Sequence, residues 1–249
     1  MIGVSTLAFA DQDLESALLE IEKISSHAEI FSEKMHDIVE DFKNNPNTES
    51  LFSHTLSYSV HAPTQDVNLA NPRENLRVAA LETIQQSARV CQEIGAKILV
   101  VHPGYMTGRD MYDSCKAALL KSLPVLAKIQ EEAGIKICVE NMPNSDIYLF
   151  RSPEEIEWET AIHPIVLDIG HSNTTKTTAE FLKKQIAHYH IHDNDGKTDA
   201  HLAFGDGSIG EPVLQKIVQK AKREKAVLIA ENKTAKDAKI TVDFLKQIK

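Results

Sequence analysis

The sequence predicts one domain, a single (β/α)8 TIM barrel that spans residues 1–249. Two observations carry this prediction. Eight apolar runs alternate with segments of helical periodicity, and side chains that can bind metals stand at the ends of most of the later runs. Several of the runs are rich in Val and Ile, as buried parallel strands are. No linker or low-complexity tract interrupts the alternation, and 249 residues is an ordinary length for one such barrel.

The predicted strands are short and apolar: Ile2–Phe9, His27–Phe31, Leu56–His61, Ala96–His102, Ile135–Glu140, Pro164–Asp168, Ile186–His192 and Ala226–Glu231. Between them, apolar residues recur with a period of about 3.6, which predicts helices. Gly95 and Gly134 stand where two of these helices should end. The predicted helices are Leu14–Ile24, Pro72–Gly95, Met111–Gly134, Pro153–Thr160, Thr178–Lys184, Pro212–Lys225 and Ala235–Ile248, with Ser32–Asn44 as a further candidate.

Composition and charge narrow the setting in which the protein acts. The formal net charge is -9, which argues against a nucleic-acid coat protein with a basic stripe, although bound divalent ions could make a cleft locally positive. No signal peptide and no apolar run long enough to span a membrane is recognised. The three cysteines are widely spaced, which favours buried thiols in a reducing compartment. We therefore expect a cytoplasmic protein with no membrane association and no obligate protein partner.

The most informative stretch is residues 188–210, HYHIHDNDGKTDAHLAFGDGSIG, which is too polar to be core. Alternation along the predicted strand places His190 and His192 on the same face, with Tyr189 and Ile191 on the other. Imidazoles and carboxylates that converge on one point suit a cation such as zinc or manganese. The alternative interpretation is a polar turn in which Asp, Asn and Gly shape the backbone.

The remaining strands decide between these interpretations, because TIM barrels place their sites at the carboxyl ends of the strands. Glu140 and Glu231 end otherwise apolar strands, where an unpaired carboxylate would cost several kcal/mol unless a shared cation removed the penalty. The alternative is a set of unconnected polar residues on the barrel rim. Nine candidate metal ligands follow six consecutive strands: His61, His102, Glu140, Asp168, His171, His192, Asp199, His201 and Glu231.

The motifs HAPT, VHPG, ENMP, LDIGH, HIHDND, D-x-H and AEN resemble, in this order and over essentially the whole chain, the endonuclease IV and xylose isomerase-like superfamily of TIM barrels. In endonuclease IV the corresponding positions hold three zinc ions. The resemblance therefore implies two or three zinc ions on the nine ligands and hydrolysis of a phosphoester, either DNA at an abasic site or another phosphodiester. It also implies catalytic roles for Glu140, Glu231 and His171, with the two glutamates as bridging carboxylates.

One departure from endonuclease IV weakens the case for DNA. That enzyme has an aromatic and a bulky apolar residue just after its first histidine motif, which wedge into the duplex, whereas here Thr64, Gln65 and Asp66 follow His61-Ala62-Pro63. Such wedges normally offset the cost of unstacking a base.

The second hypothesis is a sugar or sugar-phosphate isomerase or epimerase of the same superfamily. Those enzymes use one Mn²⁺ or similar ion held by two Glu, one Asp and one His, and the matching set here is Glu140, Asp168, His192 and Glu231. In that case the two glutamates exchange a proton with the substrate carbon, and His171 contacts a hydroxyl group. Nine ligands are more than one cation can coordinate, which favours several metals. A third hypothesis is a metal-binding protein without turnover.

Overall fold

The eight predicted strands close into one barrel in the computed structural model, which describes residues 1–40, 49–155 and 163–248. Among these residues the strands are parallel and pair in chain order, with β1 also paired to β8. This arrangement confirms the predicted (β/α)8 class. The strands are β1 Ile2–Ser5, β2 His27–Phe31, β3 Ser57–His61, β4 Ile98–Val101, β5 Lys136–Glu140, β6 Ile165–Asp168, β7 Ile186–Ile191 and β8 Val227–Ala230.

Helices occupy the connections between the strands. Asp13 caps the first of them by accepting a hydrogen bond from the Ser16 amide, and Thr234 caps the last through the Asp237 amide. Gly95 and Gly134 end two long helices in the left-handed conformation, as the sequence predicts. The α-helices in the described ranges are α1 Leu14–Glu22, α2 Glu49–Phe52, α3 Glu74–Ile94, α4 Tyr112–Ala133, α5 Ile169–Thr175, α6 Thr178–Phe181, α7 Glu211–Glu224 and α8 Ala235–Gln247.

Several boundaries differ from the predictions. The first strand ends at Ser5, whose hydroxyl accepts a bond from the Leu7 amide, so that Thr6–Phe9 forms a 3-10 helix and not more strand. Within the candidate helix Ser32–Asn44, a 3-10 turn spans Lys34–His36 and residues 38–40 are helical, while residues 41–44 lie outside the described residues. Residues 156–160 of the predicted helix Pro153–Thr160 also lie outside them.

The core has two parts. The main hydrophobic cluster packs the outward face of the strands against the helices, where each fully buried Leu, Ile or Phe contributes about 1.5–3 kcal/mol to stability. A small separate cluster of Val100, Cys138 and Val166 lies on the opposite face of its strands, inside the barrel. None of the helices in the described part of the chain combines the length and the apolarity that a membrane crossing needs.

Candidate metal centre

The nine predicted side chains gather at the carboxyl-terminal mouth of the barrel in three groups, two of which share Glu140, and in each group the ligand atoms lie within 4.8 Å of one another. We name each group after one member. Metal binding by these residues remains a prediction. The distances between their ligand atoms show whether each group could hold a cation. The groups are the His61 group (His61, His102, Glu140), the Glu231 group (Glu140, Asp168, His190, Glu231) and the His201 group (His171, His192, Asp199, His201).

The His61 group converges on one carboxylate oxygen. The Nε2 atoms of His61 and His102 each lie 3.2 Å from Oε2 of Glu140. A tetrahedral zinc ion at about 2.0–2.1 Å from its ligands would separate them by roughly 3.3 Å. Both histidine nitrogens therefore already stand at the spacing from Glu140 that a shared zinc ion requires.

The Glu231 group differs from the predicted isomerase-type set in its histidine. His190 takes the place that the sequence assigned to His192: its Nδ1 lies 2.8 Å from Oε1 of Glu140 and 3.3 Å from Oε2 of Glu231. The strand register explains the difference, because β6 and β7 pair Asp168 directly with His190. His192, two residues further along the same strand face, lies beyond this group.

The His201 group contains His192. Nε2 of His171 and of His201 each lie 3.2 Å from Oδ2 of Asp199, and the rings of His192 and His201 stack with centroids 3.9 Å apart. Nε2 of His192 lies 3.1 Å from Oδ1 of Asp168 and 3.7 Å from Oδ1 of Asp199. Because Oδ1 of Asp199 is buried without a hydrogen-bond partner, a cation in this group would satisfy it.

Backbone carbonyl groups orient three of the histidines. Nδ1 of His61 lies 2.8 Å from the carbonyl oxygen of Ala62, Nδ1 of His171 lies 2.7 Å from that of Asn141, and Nδ1 of His201 lies 2.6 Å from that of Glu231. An N–H that donates to a carbonyl fixes the tautomer and leaves Nε2 free to bind a metal. In all three residues the free Nε2 faces a carboxylate of its group, so the donor set fits bound divalent ions.

The short helix α5, which is absent from the predicted helices, brings Asp168 and His171 together. Asp168 is its N-cap, and its Oδ1 accepts a hydrogen bond of 2.7 Å from the His171 amide. Oδ1 of Asp168 therefore caps the helix. Both Oδ1 and Oδ2 of Asp168 also lie 3.1 Å from Nε2 of His192. His201 adopts a left-handed backbone with φ 54, a strained conformation of the kind that clusters at functional sites.

Buried charges perturb the pKa values at the mouth in opposite directions. Burial would raise the pKa of Glu140, but His190, His102 and His61 outweigh it and hold that pKa well below its ordinary value. Burial lowers the pKa of His171, but Asp168 and Asp199 raise it well above 6.5. The closely spaced carboxylates at the mouth are therefore stabilised by positive charge nearby, which either protons on the histidines or bound cations could supply.

Glu231 shows the opposite shift from Glu140. Burial raises its pKa well above the ordinary value, and the neighbouring Glu140 and Asp168 raise it further. Two carboxyl groups whose pKa values are pushed apart can serve as a base and an acid in the same site.

A small cavity of about 120 Å³ opens onto all three groups and is lined among others by Phe31, Met142 and Tyr148. It shares His102 and Tyr148 with a neighbouring groove of about 310 Å³. The groove is lined by Thr64, Gln65, Asp66, Val67, His102, Gly104, Tyr105, Ile147 and Tyr148. The lining of the groove includes one formally charged group, the Asp66 carboxylate, and no lysine or arginine.

The polar-turn interpretation of residues 188–210 holds for part of that stretch. Oδ1 of Asp193 accepts bonds from the Asn194 and Ile209 amides, and Oδ2 accepts one from Gly205. Oδ1 of Asp195 accepts bonds from the next turn in the same way. These acids shape the loop that presents Asp199 and His201.

Three buried residues beneath the mouth were not among the predicted ligands: Glu29, His188 and His190. A signal for them was available, since inward-facing residues alternate along a strand, and His188, His190 and His192 alternate along β7. Glu29 stands among apolar residues in the middle of β2, where a carboxylate is costly without a partner.

Comparisons with known proteins agree with this architecture. A protein of Methanocaldococcus jannaschii whose function is uncharacterised is 37% identical over 99% of this chain and 98% of its own. A probable endonuclease 4 of Mycoplasma pneumoniae is 24% identical over 74% of this chain and 71% of its own. Among solved structures, a D-tagatose 3-epimerase-like protein superposes with a TM-score of 0.87 at 30% identity, covering 99% of this chain and 96% of the other.

The family model of the xylose isomerase-like TIM barrel matches residues 37–248, which is most of the chain. The match includes every predicted ligand from His61 to Glu231. Together with the closed barrel, it confirms the resemblance inferred from the motifs: this chain belongs to the xylose isomerase-like TIM barrel family.

Proposed function

We propose that this protein is a divalent-metal-dependent hydrolase of a small phosphoester and that it works with two or three zinc ions. The observation that carries the proposal is the placement of Glu140, whose two oxygens face two different groups of donors, at 3.2 Å from His61 and at 2.8 Å from His190. A single cation accepts about four to six ligands, and the three groups hold ten candidate residues.

Bound divalent ions would supply Lewis acidity for the phosphoryl oxygens and charge neutralisation for the departing oxygen. The chain's own contribution is orientation. The His61, His171 and His201 rings are fixed by backbone carbonyls, so their Nε2 atoms need little reorganisation. Glu140, Glu231 and His171 are the proposed catalytic residues, because all three line the small cavity where a phosphoryl group would sit.

The substrate we propose is a small phosphoester and not duplex DNA. The groove next to the cavity carries Asp66 and has neutral side chains where a polyanion would need cations. The net charge of -9 adds long-range repulsion. The segment Thr64, Gln65 and Asp66 also offers no bulky apolar side chain to insert between bases.

A sugar or sugar-phosphate isomerase or epimerase is the second candidate, and one observation favours it. The Glu231 group contains two Glu, one Asp and one His around one point, and its two glutamates have pKa values shifted in opposite directions. Glu140 as base and Glu231 as acid could move a proton on and off a carbon next to a carbonyl. The similarity to a D-tagatose 3-epimerase-like protein at 30% identity also favours it.

One substrate panel separates the two candidates. We expect the zinc-loaded protein to hydrolyse bis(p-nitrophenyl) phosphate or p-nitrophenyl phosphate and to leave an abasic DNA duplex and keto sugars unchanged. Turnover of keto sugars or their phosphates, with neither aryl phosphate cleaved, would overturn the hydrolase in favour of the isomerase. Cleavage of the abasic duplex at a rate above that of both aryl phosphates would restore the DNA substrate.

A further inference from the structure

A second set of ionisable side chains lies one level deeper in the barrel, below the mouth, and the proposed chemistry uses only one of its members, His190. We call Glu29, His188 and His190 the inner cluster. All three side chains are fully buried. Oε2 of Glu29 lies 2.7 Å from Nε2 of His188, and Oε1 of Glu29 lies 2.8 Å from Nε2 of His190.

The inner contacts have the spacing of hydrogen bonds, as does the contact of 2.8 Å between Nδ1 of His190 and Oε1 of Glu140. Tetrahedral zinc at about 2.0–2.1 Å from each ligand would hold the ligand atoms roughly 3.3 Å apart. The inner contacts are shorter than this and have the length of charge-assisted hydrogen bonds. In contrast, the contacts of Glu140 with His61 and His102 measure 3.2 Å.

His190 joins the two levels, since its two ring nitrogens face different carboxylates. Nδ1 faces Glu140 and Glu231 at the mouth, and Nε2 faces Glu29 below. A neutral imidazole carries one N–H, so a proton held on Nε2 by Glu29 leaves the Nδ1 lone pair for a cation. Nε2 of His190 and Oε1 of Glu29 are both buried, and neither makes a hydrogen bond, so each is the partner available to the other at 2.8 Å.

Glu29 is itself held firmly in place. Ser59 donates a hydrogen bond of 2.8 Å to Oε2 of Glu29, the same oxygen that His188 contacts. His27 contacts the Ser59 hydroxyl at 3.1 Å from the far side. Burial would raise the pKa of Glu29, but His188 and His190 outweigh it and hold the pKa well below its ordinary value, so the carboxylate is ionised.

We propose that Glu29 is a positioning residue that fixes the tautomer and the ring orientation of His190, so that Nδ1 is presented to a cation in the Glu231 group. The inference rests on the metal-binding part of the proposed function and not on the identity of the substrate. Carboxylates that orient a metal-binding imidazole typically change metal affinity by about 10–100-fold when they are removed.

The test compares Glu29→Gln with Tyr189→Phe. Tyr189 lies on the outer face of β7, the strand that carries His188 and His190, and the variant loses a bond of 3.1 Å to Glu224. Zinc dissociation constants are measured for each intact protein by competition with a chromophoric chelator. We expect Glu29→Gln to weaken the binding of one zinc ion per chain by about 10–100-fold and to leave the dissociation constants of the others unchanged. Tyr189→Phe should lower the thermal midpoint without changing any zinc constant.

Should Glu29→Gln fail to fold, Glu29→Asp keeps the charge but withdraws the carboxylate from both rings, and we expect the same single ion to weaken. Zinc constants within twofold of the unaltered protein, in whichever of the two variants folds, would overturn the inference. Loss of every ion from that variant would overturn it too, because it would make Glu29 a general structural support. Failure of the unaltered protein to bind zinc at all would contradict the proposed function instead.

Discussion

The mouth of the barrel and the inner cluster are built from the same residue types, yet their geometries differ. At the mouth, five contacts between a histidine nitrogen and a carboxylate oxygen measure 3.1 or 3.2 Å, and a sixth, between Nδ1 of His190 and Oε1 of Glu140, measures 2.8 Å. In the inner cluster the two corresponding contacts measure 2.7 and 2.8 Å. The mouth is also partly open, with the side chains of His102 and Asp199 exposed by 24% and 30%, whereas Glu29, His188 and His190 are fully buried.

This comparison shows how one barrel can use imidazole and carboxylate for two purposes. Spacing near 3.2 Å in the His61 and His201 groups matches ligand atoms that share a cation, and spacing near 2.8 Å around His190 is that of charge-assisted hydrogen bonds. Exposure follows the same division, since ions must enter the mouth from solvent. His190 belongs to both levels and couples them.

The largest expected effect is that of Glu140→Gln, because Glu140 belongs to two of the three groups. The amide keeps the shape but loses the charge, so two ions should be lost or weakened, and turnover should fall by more than about 100-fold. Elemental analysis after gel filtration measures the ion content, with Glu224→Gln on the outer layer as the matched control. If Glu140→Gln retained the full zinc content of the unaltered protein, Glu140 would not be a ligand shared by two ions.

The next effect separates the outer groups of the mouth from each other. His102→Ala should remove the ion of the His61 group, and His201→Ala should remove the ion of the His201 group, each leaving the barrel folded. Circular dichroism checks the fold, and zinc content per chain checks the loss. Loss of the same ion from both variants would mean that the two groups form one site.

A large part of this arrangement could be predicted from the sequence. The alternation of apolar runs and helices predicted the barrel, and polar residues after strands predicted where the nine side chains would meet, because parallel strands all end at one mouth. The sequence placed His192 in the isomerase-type set, whereas the structure places His190 beside Glu140 and Glu231, since the pairing of Asp168 with His190 depends on strand register, which a single sequence does not specify. Glu29 was missed although a lone carboxylate within the apolar β2 indicates a buried partner, because the identity of that partner depends on which strands face it across the barrel.

A smaller effect is expected from pH. The pKa values of His171 and His190 are raised above 6.5, so protons on them stabilise the metal-free protein fully below pH 6.5 and less as pH rises through the raised values. Zinc replaces these protons, so its stabilising effect should increase with pH. The shift in the thermal unfolding midpoint that zinc causes is measured at about pH 6 and at about pH 8. A zinc-induced shift that is larger at the lower pH would contradict this assignment.

The smallest effect concerns Ser59→Ala, which removes one of the bonds to Glu29 but leaves both histidine contacts in place. We expect a loss of about 1 kcal/mol in unfolding free energy and a change below about threefold in zinc affinity. Urea unfolding and chelator competition provide the two values. If Ser59→Ala weakened zinc affinity as much as Glu29→Gln does, the hydrogen bond from Ser59, and not the Glu29 carboxylate alone, would control zinc binding.

The most direct test of the central claim is the number and position of zinc ions in the unaltered protein, measured by elemental analysis and by anomalous X-ray scattering from crystals grown with zinc. We predict two or three ions per chain, with Glu140 contacting two of them. A single ion in the Glu231 group, with His61, His102, His171 and His201 contacting no metal, would contradict the claim and favour the isomerase.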